Sequence, residues 1–320
     1  MKIGILKETQ SNESRVAITP DTAKKLISNN HTIHIESGCG QKSYLSDKDY
    51  SDSGCIIEKD TKQIFKCELI LKVKSFTKNE LDSSNSNNTL ISFFQIKDNV
   101  ELLQTYIDKK VTVLSMSHIP RTTLAQNMDA LSSQSNIAGY KSTIIAADHS
   151  PKYMPLLMTA AGTIKPSKVL ILGAGVAGLA AIANAKRMGA QVFAFDVRPV
   201  VKEQVESLGA KFIEVESDND EGTGEGGYAK EVSEEYKKKQ GLLIEETIKK
   251  MDIVISTALI PEKKAPILIS KNMVENMMPG SVIMDLAAQN GGNCELTECD
   301  EIITHNNIII DGRSNLPSTM

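Results

Sequence analysis

The chain has 320 residues, of which 41% are hydrophobic and 4% aromatic, with no Trp. That is length enough for two ordinary domains with aliphatic α/β cores. A formal net charge of −4 argues against a nucleic-acid binder, and no apolar run approaches the roughly 20 residues of a membrane span.

Residues 1 to about 120 alternate short apolar runs with helical patterns. Strands are expected at Ile3–Leu6, Thr32–Ile35, Leu69–Val73, Thr89–Phe93 and Val111–Leu114. Helices are expected near Pro20–Ser28, where Pro20 marks a start, and near Val100–Ile107. The first strand opens directly at the N-terminus, so no signal peptide is expected. A βαβ series of this kind predicts a parallel sheet. It carries no glycine fingerprint, so a substrate or scaffold role suits it better than cofactor binding. Ser83–Asn88 reads as a surface loop. The five cysteines (39, 55, 67, 294 and 299) lack metal-like CxxC spacing, and buried or idle thiols in a reducing compartment are expected. His31 and His34 read as surface residues rather than metal ligands, and no metal is expected.

From Ser117 the sequence is polar and irregular, and from about Met128 it keeps a helical period through Leu131, Ser135 and Ala138. A loop feeding a connecting helix between two domains is the natural assignment, with domains at 1–125 and 126–320. A solvated linker is the alternative. Against that, Arg121, Gln126 and Asp129 are crowded just before a domain junction, where α/β enzymes place their clefts.

Lys168–Leu172 is an apolar run too short for a helix, and it leads straight into Gly173-Ala-Gly175-Val176-Ala-Gly178. An Ala-rich segment of 3.6-residue period follows and reaches Met188-Gly189, where the glycine reads as a stop. A second apolar run, Gln191–Phe195, ends in Asp196, 18 positions past the last glycine. Strand, tight turn, helix, strand and acid make the dinucleotide fingerprint in its expected context. Gly173 serves the sharp turn, Gly175 the approach of a pyrophosphate, and Gly178 the close packing of helix on strand. The helix N-terminal amides then face the phosphate. Asp196 would accept from a ribose 2′-OH and repel a 2′-phosphate, which favours NAD over NADP, although Arg198 nearby can accept that phosphate.

Beyond Asp196 a helix is expected through Leu208-Gly209 and a strand at Lys211–Val215. Glu216 to Glu231 then sets four glycines (222, 224, 226 and 227) among acids and ends near Tyr228. It reads as a long functional loop, with Gly226-Gly227 a hinge and Tyr228 a lid residue, or else as a disordered insertion. A charged helix, Glu231–Lys250, returns to strands at Asp252–Ser256, Ser281–Leu286 and Asn307–Asp311. Thr257, Leu259 and the loop from Gln289 follow strand ends, where doubly wound sheets bind ligands.

Several of these words resemble the NAD(H)-binding α-subunit domain (domain I) of proton-translocating NAD(P) transhydrogenase, in the alanine dehydrogenase/transhydrogenase family. They are Gln126–Tyr140, Asp196-Val197-Arg198-Pro199, Lys202–Gly209, Gly226–Glu231, Thr257–Pro261 and Gly291–Leu296, together with Gly4–Glu8 and Arg15–Ala17. The resemblance covers essentially the whole chain. It implies two Rossmann-like domains with parallel sheets, joined by a long connecting helix, with NAD(H) in the cleft between them. Hydride would pass directly to or from NADP(H) on a separate partner domain, and membrane segments would couple this to proton movement. A homodimer, cytoplasmic and peripheral to the inner face of the cell membrane, is implied. By the same resemblance Arg121, Gln126, Asp129 and Ser132 hold the nicotinamide half. Asp196, Val197 and Arg198 meet the ribose; Gly227 and Tyr228 belong to the mobile loop; and Thr257, Ala258 and Leu259 contact the cofactor.

Transfer between nicotinamides needs orientation and dryness, not a proton relay, so no His or Cys nucleophile is required. An alanine dehydrogenase-like reaction is the first alternative, and Arg15 and Lys74 resemble that enzyme's substrate binders. However, Ile91–Ile96 has no His and Gln289 stands where its Asp would be, and amine oxidation needs an acid/base group. A truncated, non-catalytic NAD-binding fragment is the second alternative. It is motivated by Leu124 in place of a further Arg, by Thr319 in place of the Arg of Pro-Ser-Arg, and by an end at Met320 short of the family's tail. Loss of that tail would uncover apolar surface on the first domain.

Overall fold

Short runs of Ile, Leu and Val that alternate between two buried faces give this chain its sheets. The computed structural model describes residues 1–120, 122–215, 233–260 and 263–320. These divide into two units, residues 1–131 with Thr319, and residues 132–318 with Met320.

The first unit holds β1 (Lys2–Ile5), α1 (Pro20–Ser28), β2 (Thr32–Glu36), α2 (Asp47–Asp52), β3 (Ile56–Glu58), α3 (Thr61–Ile64), β4 (Leu69–Leu71), α4 (Lys78–Ser83), β5 (Thr89–Ser92), α5 (Leu103–Lys109) and β6 (Thr112–Ser115). Its sheet runs β3-β2-β1-β4-β5-β6, parallel throughout. That is the doubly wound order, which turns back on itself between the first and fourth strands. Ile3, Ile5, Ile33 and Ile35 pack with Ala23 and Tyr50 in one cluster. Leu6, Ile70 and Leu90 pack with Ile64, Leu81 and Tyr106 in another. Thr19 caps α1 through its side chain, with Pro20 in the first turn, so this boundary is written in the sequence. Strand β3 is absent from the sequence expectation, because at three residues it is too short to show a period. Ile96, Val100, Ile107 and Leu114 are exposed on this unit.

The second unit begins with α6 (Ala130–His149), whose first residues still belong to the other unit, and a hairpin of β7 (Leu157–Thr159) and β8 (Gly162–Ile164). Then follow β9 (Lys168–Leu172), α7 (Val176–Arg187), β10 (Gln191–Phe195), α8 (Lys202–Ser207), β11 (Lys211–Ile213), α9 (Glu234–Ile248), β12 (Ile253–Ser256), α10 (Lys271–Glu275), β13 (Val282–Asp285), β14 (Ile302–His305) and β15 (Ile308–Asp311). The sheet order is β11-β10-β9-β12-β13-β15-β14, parallel except for β14. Val169, Ile171, Ile253, Ile255, Val282 and Met284 face α6, α7 and α8. Leu170, Leu172, Val254 and Ile283 face α9 and α10. The hairpin escapes sequence reading because its strands are exposed throughout and carry no alternation. Four of the five cysteines are buried, and burial pushes the Cys39 thiol up to about 12.

Helix α6 buries small residues, Gly139, Ser142, Thr143 and Ala146. At Gly139 the fit against α7 is closest, since a Cβ there would lie 2.0 Å from the Ala177 carbonyl oxygen. Gly139→Ala should therefore cost about 1–3 kcal/mol by overpacking. A Cβ at Gly241 in α9 would meet no atom within 4 Å, so Gly241→Ala should instead add about 0.5–1 kcal/mol. Urea unfolding midpoints of the two variants should move in opposite directions.

Candidate functional site

Strand β9 delivers the chain to the glycine turn at the point where the strand order reverses, between β9 and β12. Gly173 has φ +97°, a left-handed conformation that favours glycine, and its amide donates to the Phe195 carbonyl at 2.8 Å. Gly178 is required by packing, because a Cβ there would fall 1.8 Å from the Gly173 oxygen. Gly175 differs from both. Its backbone is ordinary extended chain, φ −76° and ψ −168°, and a Cβ there would meet nothing nearer than Arg198 Nη2 at 4.0 Å. Among the described residues neither backbone nor packing asks for glycine at 175, which leaves the position open. It also forms the N-cap of α7 without any side-chain capping bond. Open helix amides beside a position stripped of its side chain suit an anionic ligand.

Asp196, at the end of β10, is buried and works on both sides of the turn. Its Oδ2 accepts from the Ala174 amide at 2.7 Å and Arg198 Nη2 at 2.7 Å, while Oδ1 accepts from the Arg198 amide at 2.9 Å and Nε at 2.8 Å. These four donors occupy the roughly four lone-pair positions of a carboxylate. The bond to Asp196 raises the Arg198 guanidinium above its ordinary pKa. A hydroxyl brought to this edge would therefore meet a paired, nearly neutral Asp196–Arg198 fork. Val197 is half-buried beside it.

Thr257, just past β12, donates from Oγ1 to the Gly173 carbonyl at 2.9 Å, strapping that loop to the glycine turn. Ala258 is half-buried and Leu259 exposed. Sequence reasoning assigns no individual role to Asn293, yet its side chain holds both backbone polar groups of Ala258, at 3.0 and 2.9 Å. Its position in Gly291-Gly292-Asn293 is the one available signal. In the second unit, then, Gly173, Gly175, Gly178, Asp196, Arg198, Thr257 and Ala258 are drawn together around one turn.

Gln126 opens a short 3₁₀ turn, Gln126–Met128, and is exposed; Asp129 follows, half-buried, directly before α6. Ser132, in the first turn of α6, is half-buried. Leu124 is 94% exposed. Arg121, Gly227 and Tyr228 lie outside the described residues. In the first unit Arg15 is forked onto the fully buried Glu13, at 2.8 and 2.7 Å, with Lys74 3.9 Å away. Gln289 donates to Ser314 Oγ at 2.9 Å. Among the described residues no group of three or more His, Cys, Asp or Glu could hold a metal ion, and no helix is long and apolar enough to cross a membrane.

The geometry separates the two glycine roles. Gly178→Ala should unfold the chain at lower temperature, whereas Gly175→Ala should leave the melting temperature within a degree or two and weaken dinucleotide binding by roughly tenfold. Thermal denaturation beside equilibrium dialysis measures both.

Residues 4–138 match the alanine dehydrogenase/PNT N-terminal domain and residues 142–320 the alanine dehydrogenase/PNT C-terminal domain. The chain is 44% identical over 323 residues to NAD(P) transhydrogenase subunit alpha of Cereibacter sphaeroides, covering 100% of this chain and 62% of that one. It thus spans about three fifths of the length of that relative. The crystal structure of a transhydrogenase from Sinorhizobium meliloti superposes with a TM-score of 0.89 at 38% identity, over 100% of this chain and 88% of that one. An alanine dehydrogenase of Staphylococcus haemolyticus is more distant, 30% identical over 308 residues, with 95% of this chain and 76% of that one covered. The chain belongs to the alanine dehydrogenase/PNT family, and within it is more similar to the transhydrogenase α subunits than to this alanine dehydrogenase.

Proposed function

We propose that the chain is the NAD(H)-binding component of a proton-translocating NAD(P) transhydrogenase, exchanging hydride directly with NADP(H) held on a partner component. The observation that supports the cofactor half of this reading is Gly175, where no described residue requires a glycine and the N-terminus of α7 is left open. When bound, the nicotinamide supplies hydride transfer. The residues of this chain bind, orient and exclude water. Gly173, Gly175, Val176 and Gly178 seat the pyrophosphate on the N-terminus of α7. Asp196, Val197 and Arg198 meet the adenosine ribose, and Thr257, Ala258 and Leu259 lie alongside. Arg121, Gln126, Asp129 and Ser132 aim the nicotinamide end, and Gly227 and Tyr228 are counted among the cofactor-binding residues. Such positioning accounts for a large share of the barrier in a reaction that moves no proton through a side chain.

Amino-acid oxidation fits less well. Gln289 has no titrating group and is bonded to Ser314, and the Arg15 guanidinium is forked onto Glu13 rather than presented to a substrate carboxylate. A homodimer belongs to the proposal, and the exposed apolar residues of the hairpin, Leu157, Met158 and Ile164, support it. The component would sit at the cytoplasmic face of the membrane, docked on the NADP(H)-binding domain and the membrane-spanning segments.

Mixed with an NADP(H)-binding transhydrogenase domain, the chain should carry hydride between the two nucleotides, and alanine should leave NADH formation unchanged. NADH formation that depends on alanine would overturn the reading. Asp129→Asn should slow transfer at least tenfold while changing NADH affinity less than threefold, as expected of a residue that aims the ring. Stopped-flow transfer rates and NADH titration separate the two effects, and equal losses would remove the positioning role.

A further inference from the structure

Past the end of β12 the chain has left the ladder, and the Ala258 amide and carbonyl need partners. One side chain supplies both. Asn293 Oδ1 accepts from the Ala258 amide at 3.0 Å, and Nδ2 donates to the Ala258 carbonyl at 2.9 Å and the Pro266 carbonyl at 2.8 Å. The Asn293 amide group stands in for a neighbouring strand, and it is fully buried. Its own backbone is fixed in turn: the Asn293 amide donates to Asp285 Oδ2 at 2.7 Å, and its carbonyl accepts from Leu268 and Ile269. Asp285 Oδ2 also accepts from the Cys294 amide at 3.0 Å and Thr297 Oγ1 at 2.7 Å, and Oδ1 from the Ala287 amide at 3.0 Å. Gly292 keeps this hub compact, since a Cβ there would lie 2.9 Å from Asp285 Oδ2.

We infer that Asn293, anchored by Asp285, is a positioning residue for the dinucleotide: it holds Thr257–Leu259 against the glycine turn and so sets cofactor affinity without touching the cofactor. The inference rests on the proposed NAD(H) site. The chain of contacts is short, from Asn293 to the Ala258 backbone, and from the adjoining Thr257 hydroxyl to the Gly173 carbonyl.

The discriminating variant is Asn293→Asp. Ionised, the new carboxylate loses both donations and faces the Ala258 and Pro266 carbonyls. Protonated, it regains one O–H donor. NADH affinity, followed by NADH fluorescence on the full chain, should fall roughly tenfold at pH 8.5 and recover to within about threefold at pH 5.5. The parent chain, taken through the same pH values, supplies the reference. Asn88 provides a matched control in the first unit, because its buried Nδ2 also donates to two carbonyls, of Phe65 and Cys67. Asn88→Asp should lower the melting temperature and leave the pH profile of NADH binding as in the parent. An Asn293→Asp profile that follows the parent's at every pH overturns the inference, as does the same altered profile in Asn88→Asp. If Asn293→Asp does not fold, Thr297→Val loosens the hub by removing the hydroxyl that donates to Asp285. It should weaken NADH binding about two- to threefold, and unchanged binding in that folded variant overturns the inference. A parent chain that fails to bind NADH refutes the underlying site instead.

Discussion

Beyond the last rung of a parallel ladder every backbone amide and carbonyl must find a new partner, at a cost of about 1–3 kcal/mol for each buried group left alone. The carboxyl edge of the second sheet is built on that constraint. Asp196 takes the Ala174 amide, Thr257 reaches the Gly173 carbonyl, Asn293 takes both polar groups of Ala258, and Asp285 takes the amides of Ala287, Asn293 and Cys294. Loops that elsewhere would be solvated are thereby fixed from within. The place where they meet is the reversal of strand order, so these hydrogen-bonded turns border the candidate site.

In the second unit the same local device recurs among the described residues, with different ends. In Asp196-Val-Arg198 and Asp311-Gly-Arg313 the carboxylate accepts from the amide and the guanidinium two residues on. At Asp196 the remaining donor is the amide of the glycine turn. At Asp311 it is His149 at the end of α6, 2.9 Å away, which ties that helix to the sheet. An acid two residues before an arginine is thus first a structural fork, and its neighbourhood decides what it serves. Hydrogen bonds from Arg313 and His149 hold the Asp311 carboxyl below its ordinary pKa despite burial.

The proposed ring-to-ring hydride transfer asks little of side-chain chemistry and much of placement. The buried Asn293 side chain is committed to backbone groups, and Asp285 accepts chiefly from backbone amides. Where a proton-handling residue would serve amino-acid oxidation, Gln289 bonds to Ser314. Under the proposed function the site is marked less by reactive groups than by the hydrogen-bonded turns around an open position, Gly175.

By itself the sequence determined the α/β class, the long strands, the α1 start at Pro20 and the fingerprint from Gly173 to Asp196. Each rests on local signals: period, capping chemistry and glycine spacing. Sequence also supplied the resemblance that named the nicotinamide-side residues. Only tertiary structure showed that Gly178 is a packing glycine and Gly175 is not, because that distinction is a distance to atoms elsewhere in the chain. It alone paired Asp196 fully with Arg198, found the exposed hairpin and the three-residue β3, and gave Asn293 its work on Ala258, 35 positions away. A hydrogen bond across that separation leaves no period and no spacing in the sequence, so no local reading could have found it.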